Sequence, residues 1–202
     1  MRRRAFLALG LAAVGAVRAR AAWATGVVTE PLPVPKAPRE PFPISEEEYE
    51  KVKPQFRPQL VDFPTREPPG TIIIDTRRRY LYLVLESGQA KRFGVGVGRR
   101  GFQWSGTAMI GRKAKWPMWI PPAEMMERDR EAAKWPDGMP GGPDNPLGAR
   151  ALYLGSTLYR IHGTNQPWTI GQAVSSGCIR MRNEDVLELY ERTGVGTKVV
   201  VM

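Results

Sequence analysis

The stretch IHGTNQPWTIGQAVSSGCIRM, residues 161–181, decides how this chain is read. It contains the one histidine of the sequence, His162, and its one cysteine, Cys178, sixteen residues later. His162 closes a β-type run, and Cys178 follows the turn residues Ser175, Ser176 and Gly177. Two segments that flank a loop can meet in space. A thiolate is the nucleophilic form of cysteine, and a neighbouring imidazole can take the thiol proton. Gly177 permits a tight turn, and such a turn can aim successive backbone N–H groups at one point, as an oxyanion site requires. The candidate donors are the amides of Ser176, Gly177 and Cys178. Residue types and spacing leave two readings open: a catalytic pair, or a small buried thiol and a satisfied polar imidazole. If His162 works as an acid/base, the pH–rate profile should carry an imidazole-range limb.

Outward from this stretch the pattern is mainly β. TIIID (Thr71–Asp75), YLYLVL (Tyr80–Leu85) and the return from Ala90 to Val97 read as a meander, with Ser87-Gly88 at one turn. Thr107–Lys113 reads as a short strand, Arg150–Leu154 with Leu158–Ile161 as a hairpin, and Thr197–Met202 as the last strand. Two helices flank these strands. The first spans Ala123–Lys134 after Pro121-Pro122, and the second spans Glu184–Arg192 with Asn183 as its N-cap. PDGMPGGPDNPLG, residues 136–148, is a long irregular loop of the kind that often carries function, with Asn145 and Gly148 shaping it. Trp104, Trp116, Trp119 and Trp135 gather around it in sequence, either lining a groove or packing beneath the loop. The arginine turn Arg77–Arg79 reads as solvated.

The amino-terminal third differs in character. Residues 1–24 have the form of an export signal: Arg2–Arg4, an apolar run from Ala5 to Val17, and the cleavage pattern Ala22-Trp23-Ala24. RRAFL, from Arg3 to Leu7, resembles a twin-arginine motif. An ordinary secretory signal is the alternative, and cleavage or retention as an anchor stays open. Residues 25–69 are rich in proline and read as a linker or a wrap that partly docks on the domain of residues 70–202.

Composition narrows the function classes. The formal charge is +10, but five arginines in the first twenty residues leave only 25 basic against 20 acidic residues beyond them. No basic helix or nucleic-acid motif appears, so nucleic acid is not an expected partner. One Cys and one His cannot make a disulfide or an ordinary zinc site, and neither a metal nor a cofactor is expected.

The 161–181 stretch resembles the signature of the L,D-transpeptidase catalytic domain, the YkuD-like family. In that signature a histidine and a glycine-containing loop precede Ser-x-Gly-Cys, a hydrophobic residue and Arg or Asn. The resemblance extends over 70–202, through LYLV, the VGVG run, GGPDNPLGARALYLG and the closing GTKVVV strand. It implies a β-sandwich or mixed-sheet domain with two peripheral helices. It also implies a periplasmic enzyme that acts on peptidoglycan stem peptides as donor and acceptor. The bonds it handles would lie at an L-centred diacid residue of the stem: Cys178 would attack the carbonyl before the terminal D-alanine of a donor tetrapeptide, and His162 would serve as acid/base. The backbone carbonyl of Gly163 would orient the imidazole. Arg180 would stand near a substrate carboxylate, a structural salt bridge being its alternative role, and Asn165 would be a polar substrate contact or a turn former.

The acceptor could be another stem peptide, a lipoprotein lysine or an outer-membrane protein terminus, and carbapenems would be covalent inhibitors. Many relatives have histidine where this chain has Ser176, so His162 is left as its single imidazole. Two alternatives fit the same residues: hydrolysis of the same bonds by an L,D-carboxypeptidase or endopeptidase, and a catalytically silent wall-binding module.

Overall fold

The computed structural model describes residues 39–44 and 50–202. The export-signal reading of residues 1–24 falls outside these. Among the described residues no helix is long and apolar enough to cross a membrane. The described residues form eleven strands in chain order: β1 Gln59–Asp62, β2 Ile72–Asp75, β3 Tyr80–Val84, β4 Gln89–Gly94, β5 Val97–Gly98, β6 Gly106–Lys115, β7 Arg150–Leu154, β8 Arg160–His162, β9 Ala173–Ser175, β10 Ile179–Arg180 and β11 Lys198–Val201. Helix α1 is Ala123–Arg128 and α2 is Asn183–Arg192.

Nine strands make one mixed sheet in the order β1-β4-β3-β2-β11-β6-β7-β8-β10, and β5 pairs with β9 in a small second sheet. The meander β2-β3-β4 is antiparallel throughout, and its turn at Ser87-Gly88 uses positive φ at both residues. β11 returns from the far end of the chain to lie parallel to β2.

β6 joins the two halves of the large sheet. Its first residues pair with β11 and its last with β7, with a register shift between Ile110 and Arg112. A side chain at Gly111 would press on the backbone of Gly155, 3.2 Å away, so the strand can shift there because the residue is glycine. Besides two smaller apolar clusters, the sheet buries one main apolar core. Ile72, Ile74, Leu81 and Phe93 from one half pack with Leu152, Leu154, Ile161 and Ile179 from the other. Val186 and Leu189 on α2 complete it. The fold is a mixed β-sheet domain with two peripheral helices.

Some expectations are corrected. The helix expected over Ala123–Lys134 ends at Arg128, and a separate 3-10 turn follows at Ala132–Lys134. Asn183 is not the N-cap of α2. It is the first helical residue, and its side chain turns inward. Arg79 is not simply solvated, since its Nη1 donates to Gly171 O at 3.0 Å.

The proline-rich segment contributes structure. β1 pairs antiparallel with β4 at the sheet edge, where missing N–H donors in flanking prolines cost nothing. Phe56 is buried, and its ring lies so close to Gly171 that a Cβ there would overlap it. Farther back, the Glu40 carboxylate receives two hydrogen bonds from Arg150 and one from Trp116 Nε1 at 2.7 Å. Phe42 packs edge-on against Trp116, with centroids 4.9 Å apart.

Candidate active site

β8 and β10 run side by side in parallel, with Ile179 opposite Ile161 and Arg180 opposite His162. Successive side chains on a strand point to opposite faces. Ile161 and Ile179 face the core and are fully buried. Arg160, His162 and Arg180 therefore share the other face, joined there by Cys178, one residue before β10. All four line one cavity of about 1040 Å³. Ser176 and Asn165 line it as well, as do Trp119 and Trp135. Trp104 and Trp116 do not: Trp104 stacks on Tyr159 at 4.8 Å, and Trp116 is held by Glu40 and Phe42.

His162 is buried, and its Nδ1 lies 2.5 Å from the carbonyl oxygen of Gly163. Carbonyl oxygens only accept, so Nδ1 carries the hydrogen of the neutral ring and Nε2 is left with a free lone pair. Gly163 is fixed in turn by its N–H, which donates to Arg150 O at 3.0 Å on β7. Burial and then the charge of Arg180 lower the His162 pKa to about 3, against the bond to Gly163, with Arg160 adding to the fall. If His162 is the acid/base, its pH–rate limb is therefore expected on the acid side of the ordinary imidazole range.

Burial also raises the Cys178 thiol above its usual range, while the charges of Arg160 and Arg180 oppose that rise. Cys178 is half-buried, and its Sγ lies 3.9 Å from Leu158 O. Burial thus favours the neutral thiol and the neutral imidazole, both of which line the same cavity.

The SSGC turn is built on its neighbours. Gly177 has φ of +107°, a conformation that glycine adopts without strain. A Cβ there would meet the Tyr159 ring at 2.4 Å. The VGVG run lies directly beneath, since a Cβ on Gly98 would reach Gly177 Cα at 3.1 Å. Ser175 Oγ donates to Cys178 O at 2.6 Å and accepts from the Gly177 N–H at 3.2 Å. The Gly177 amide, one of the three expected oxyanion donors, is therefore engaged inside the turn.

Asn183, Gly148 and Asn145 hold the surrounding loops. Asn183 Oδ1 accepts from Ala149 N at 2.9 Å, and its Nδ2 donates to Thr164 O at 3.0 Å. Gly148, with φ of +61°, leaves room for that amide, because a Cβ would stand 2.2 Å from Asn183 Oδ1. Asn145 is fully buried and donates to Pro140 O at 2.9 Å, while its Oδ1 accepts from Leu147 N at 2.8 Å. Asn165 Nδ2 donates to Asp144 O at 2.7 Å, and its buried Oδ1 has no hydrogen-bond partner. Arg180 makes no ion pair among the described residues, and its Nε is buried without a partner, so the salt-bridge alternative finds no support.

Sequence reasoning missed Arg160 and the bridging role of Asn183. The alternation around His162 could have placed Arg160 on the cavity face. No local signal distinguishes a bridging Asn183 from an N-cap.

A mixed sheet that brings a cysteine and a carbonyl-oriented histidine to one cavity defines a class of domain. The chain belongs to the L,D-transpeptidase catalytic domain family, YkuD, whose model matches residues 69–201. It is 39% identical over 147 residues to the probable L,D-transpeptidase YbiS of Escherichia coli K12, covering 70% of this chain and 47% of that protein. The chain thus spans about half the length of that relative. A Brucella melitensis crystal structure described as a probable carnitine operon oxidoreductase is 50% identical, with a TM-score of 0.51 over 78% of this chain and 99% of the other. L,D-transpeptidase 3 from Mycobacterium tuberculosis shares the fold at 16% identity and a TM-score of 0.51, covering 67% of this chain and 62% of that one.

Proposed function

We propose that this protein is a periplasmic L,D-transpeptidase that works through a cysteine acyl-enzyme on peptidoglycan stem peptides. One observation carries the reading: Cys178, just before β10, and His162, at the end of the adjacent strand β8, line the same cavity, with His162 Nδ1 held by Gly163 O. That arrangement leaves Nε2 available to the thiol. His162 takes the Sγ proton as the sulfur bonds to the acyl carbonyl of a donor tetrapeptide. The amide of Cys178, with that of Ser176, stabilises the oxyanion. The intermediate collapses with cleavage of the C–N bond. His162 returns the proton to the leaving amine, and D-alanine departs.

An acceptor amine then attacks the thioester. His162 takes the amine's proton, the C–S bond breaks, and His162 passes that proton to the departing thiolate. Arg180, which makes no ion pair among the described residues, supplies a positive charge for a donor carboxylate, and Asn165 supplies an unsatisfied acceptor at the cavity wall. The basic and apolar start of the chain, with its cleavage pattern, supports export to the periplasm.

The test is product analysis. The purified protein is incubated with a stem tetrapeptide, with and without an amine acceptor, and the products are weighed. Cross-linked peptide with loss of alanine is the expected result. Tripeptide alone, even at high acceptor concentration, would convert the assignment to hydrolysis. Failure to form any acyl adduct on Cys178 would remove it.

A further inference from the structure

Four side chains on one face of β8 and β10 form a small array. His162 stands opposite Arg180, and two residues earlier on the two segments are Arg160 and Cys178, near enough for Arg160 to act on the thiol through its backbone and its charge. Both arginines line the cavity. The Nε of each is buried without a partner, and neither makes an ion pair among the described residues. The Arg160 side chain has one long hydrogen bond, from Nη2 to Leu158 O at 3.4 Å, and its guanidinium lies 5.5 Å from the Tyr153 ring. Asp129, Glu131 and Asp144 border the same cavity, yet none of them pairs with either arginine.

Two partly desolvated cations beside a nucleophile, with no protein anion between them, are costly unless a ligand brings negative charge. Arg160 and Arg180 lie on neighbouring strands, offset by two residues, about 6.6 Å along the strands and about 4.8 Å across them. Two cations on separate backbone positions of one cavity wall can each take an anionic group of their own. Arg180 already has a role in the reading above.

We propose that Arg160 is a specificity-determining residue that binds a second carboxylate of the acyl donor. That carboxylate is the free acid on the side chain of the diacid residue whose carbonyl Cys178 attacks. The proposal rests on the transpeptidase reading. It predicts a preference for donors bearing that acid over donors in which it is a carboxamide.

The experiment uses the full chain and two synthetic tetrapeptides that differ only in this group, acid or amide. The rate of acyl-enzyme formation is followed by intact mass for the wild type, Arg160→Gln and Arg160→Lys. Wild type should favour the acid donor by about tenfold, the scale of one charge-assisted hydrogen bond. Arg160→Gln should lose most of its rate on the acid donor and much less on the amide donor, so the preference collapses. Arg160→Lys should recover part of it. An unchanged preference in Arg160→Gln, or an equal loss on both donors, overturns the proposal while leaving the transpeptidase reading intact. No acylation of the wild type by either donor overturns both.

Discussion

Glu40 and Arg150, 110 residues apart in the chain, form a bidentate ion pair in which the arginine has no exposed surface. Burial works against the carboxylate, but the hydrogen bonds from Arg150 and Trp116 outweigh it and hold Glu40 below the usual carboxylate range. Removing one partner of a buried pair leaves an uncompensated charge. Glu40→Ala should therefore lower the unfolding free energy by about 3 kcal/mol, and Glu40→Gln by less. Urea denaturation checks this. A change within error would mean that water replaces Glu40 without cost.

The proposed nucleophile and base give a sharper test. Cys178→Ala and His162→Ala should both abolish transpeptidation while the thermal transition persists. A carbapenem should add its mass to the wild type and not to Cys178→Ala. The same adduct on the variant would place the nucleophile elsewhere.

The lowered His162 pKa has a definite sign. The folded value, about 3, lies below the ordinary 6.5 of an unfolded chain. The folded state therefore binds fewer protons between those values. The stability linked to this group is fully present above about pH 6.5 and is lost as pH falls towards 3. His162→Gln should flatten that dependence in denaturation curves measured across the window. Acyl transfer should likewise keep its rate through pH 5, where an ordinary imidazole would be protonated. A kcat/KM limb near pH 6.5 would contradict the burial argument.

Asn183 ties two loops that meet behind the site. Asn183→Ala removes the bonds to Ala149 N and Thr164 O and strands both groups in a buried region. The expected loss is about 2 kcal/mol. The variant should also show a lower kcat, because Thr164 follows the carbonyl that orients His162. Gly148→Ala should act in the same direction, since its Cβ would enter the space of the Asn183 amide at a positive φ. Normal stability in both variants would show that the loops find another arrangement.

Much of this molecule was legible as sequence because its signals are local. β-Branched runs gave the meander, Ser87-Gly88 gave its turn, and the single His and Cys in IHGT and SSGC gave the candidate pair. Those patterns depend on residue type and short spacing, which the chain carries by itself. The tertiary structure decided the rest. Strand register set Arg180 beside His162, and the same pair of segments brought Arg160 to the Cys178 thiol. Burial together with those two charges fixed the neutral state of the imidazole. Inward packing made Asn183 a bridge, where its neighbours had suggested a helix cap. The fold also brought Glu40, from the proline-rich segment, onto a buried arginine. Each of these depends on which distant groups share a low-dielectric space, and a residue's neighbours in sequence do not encode that directly.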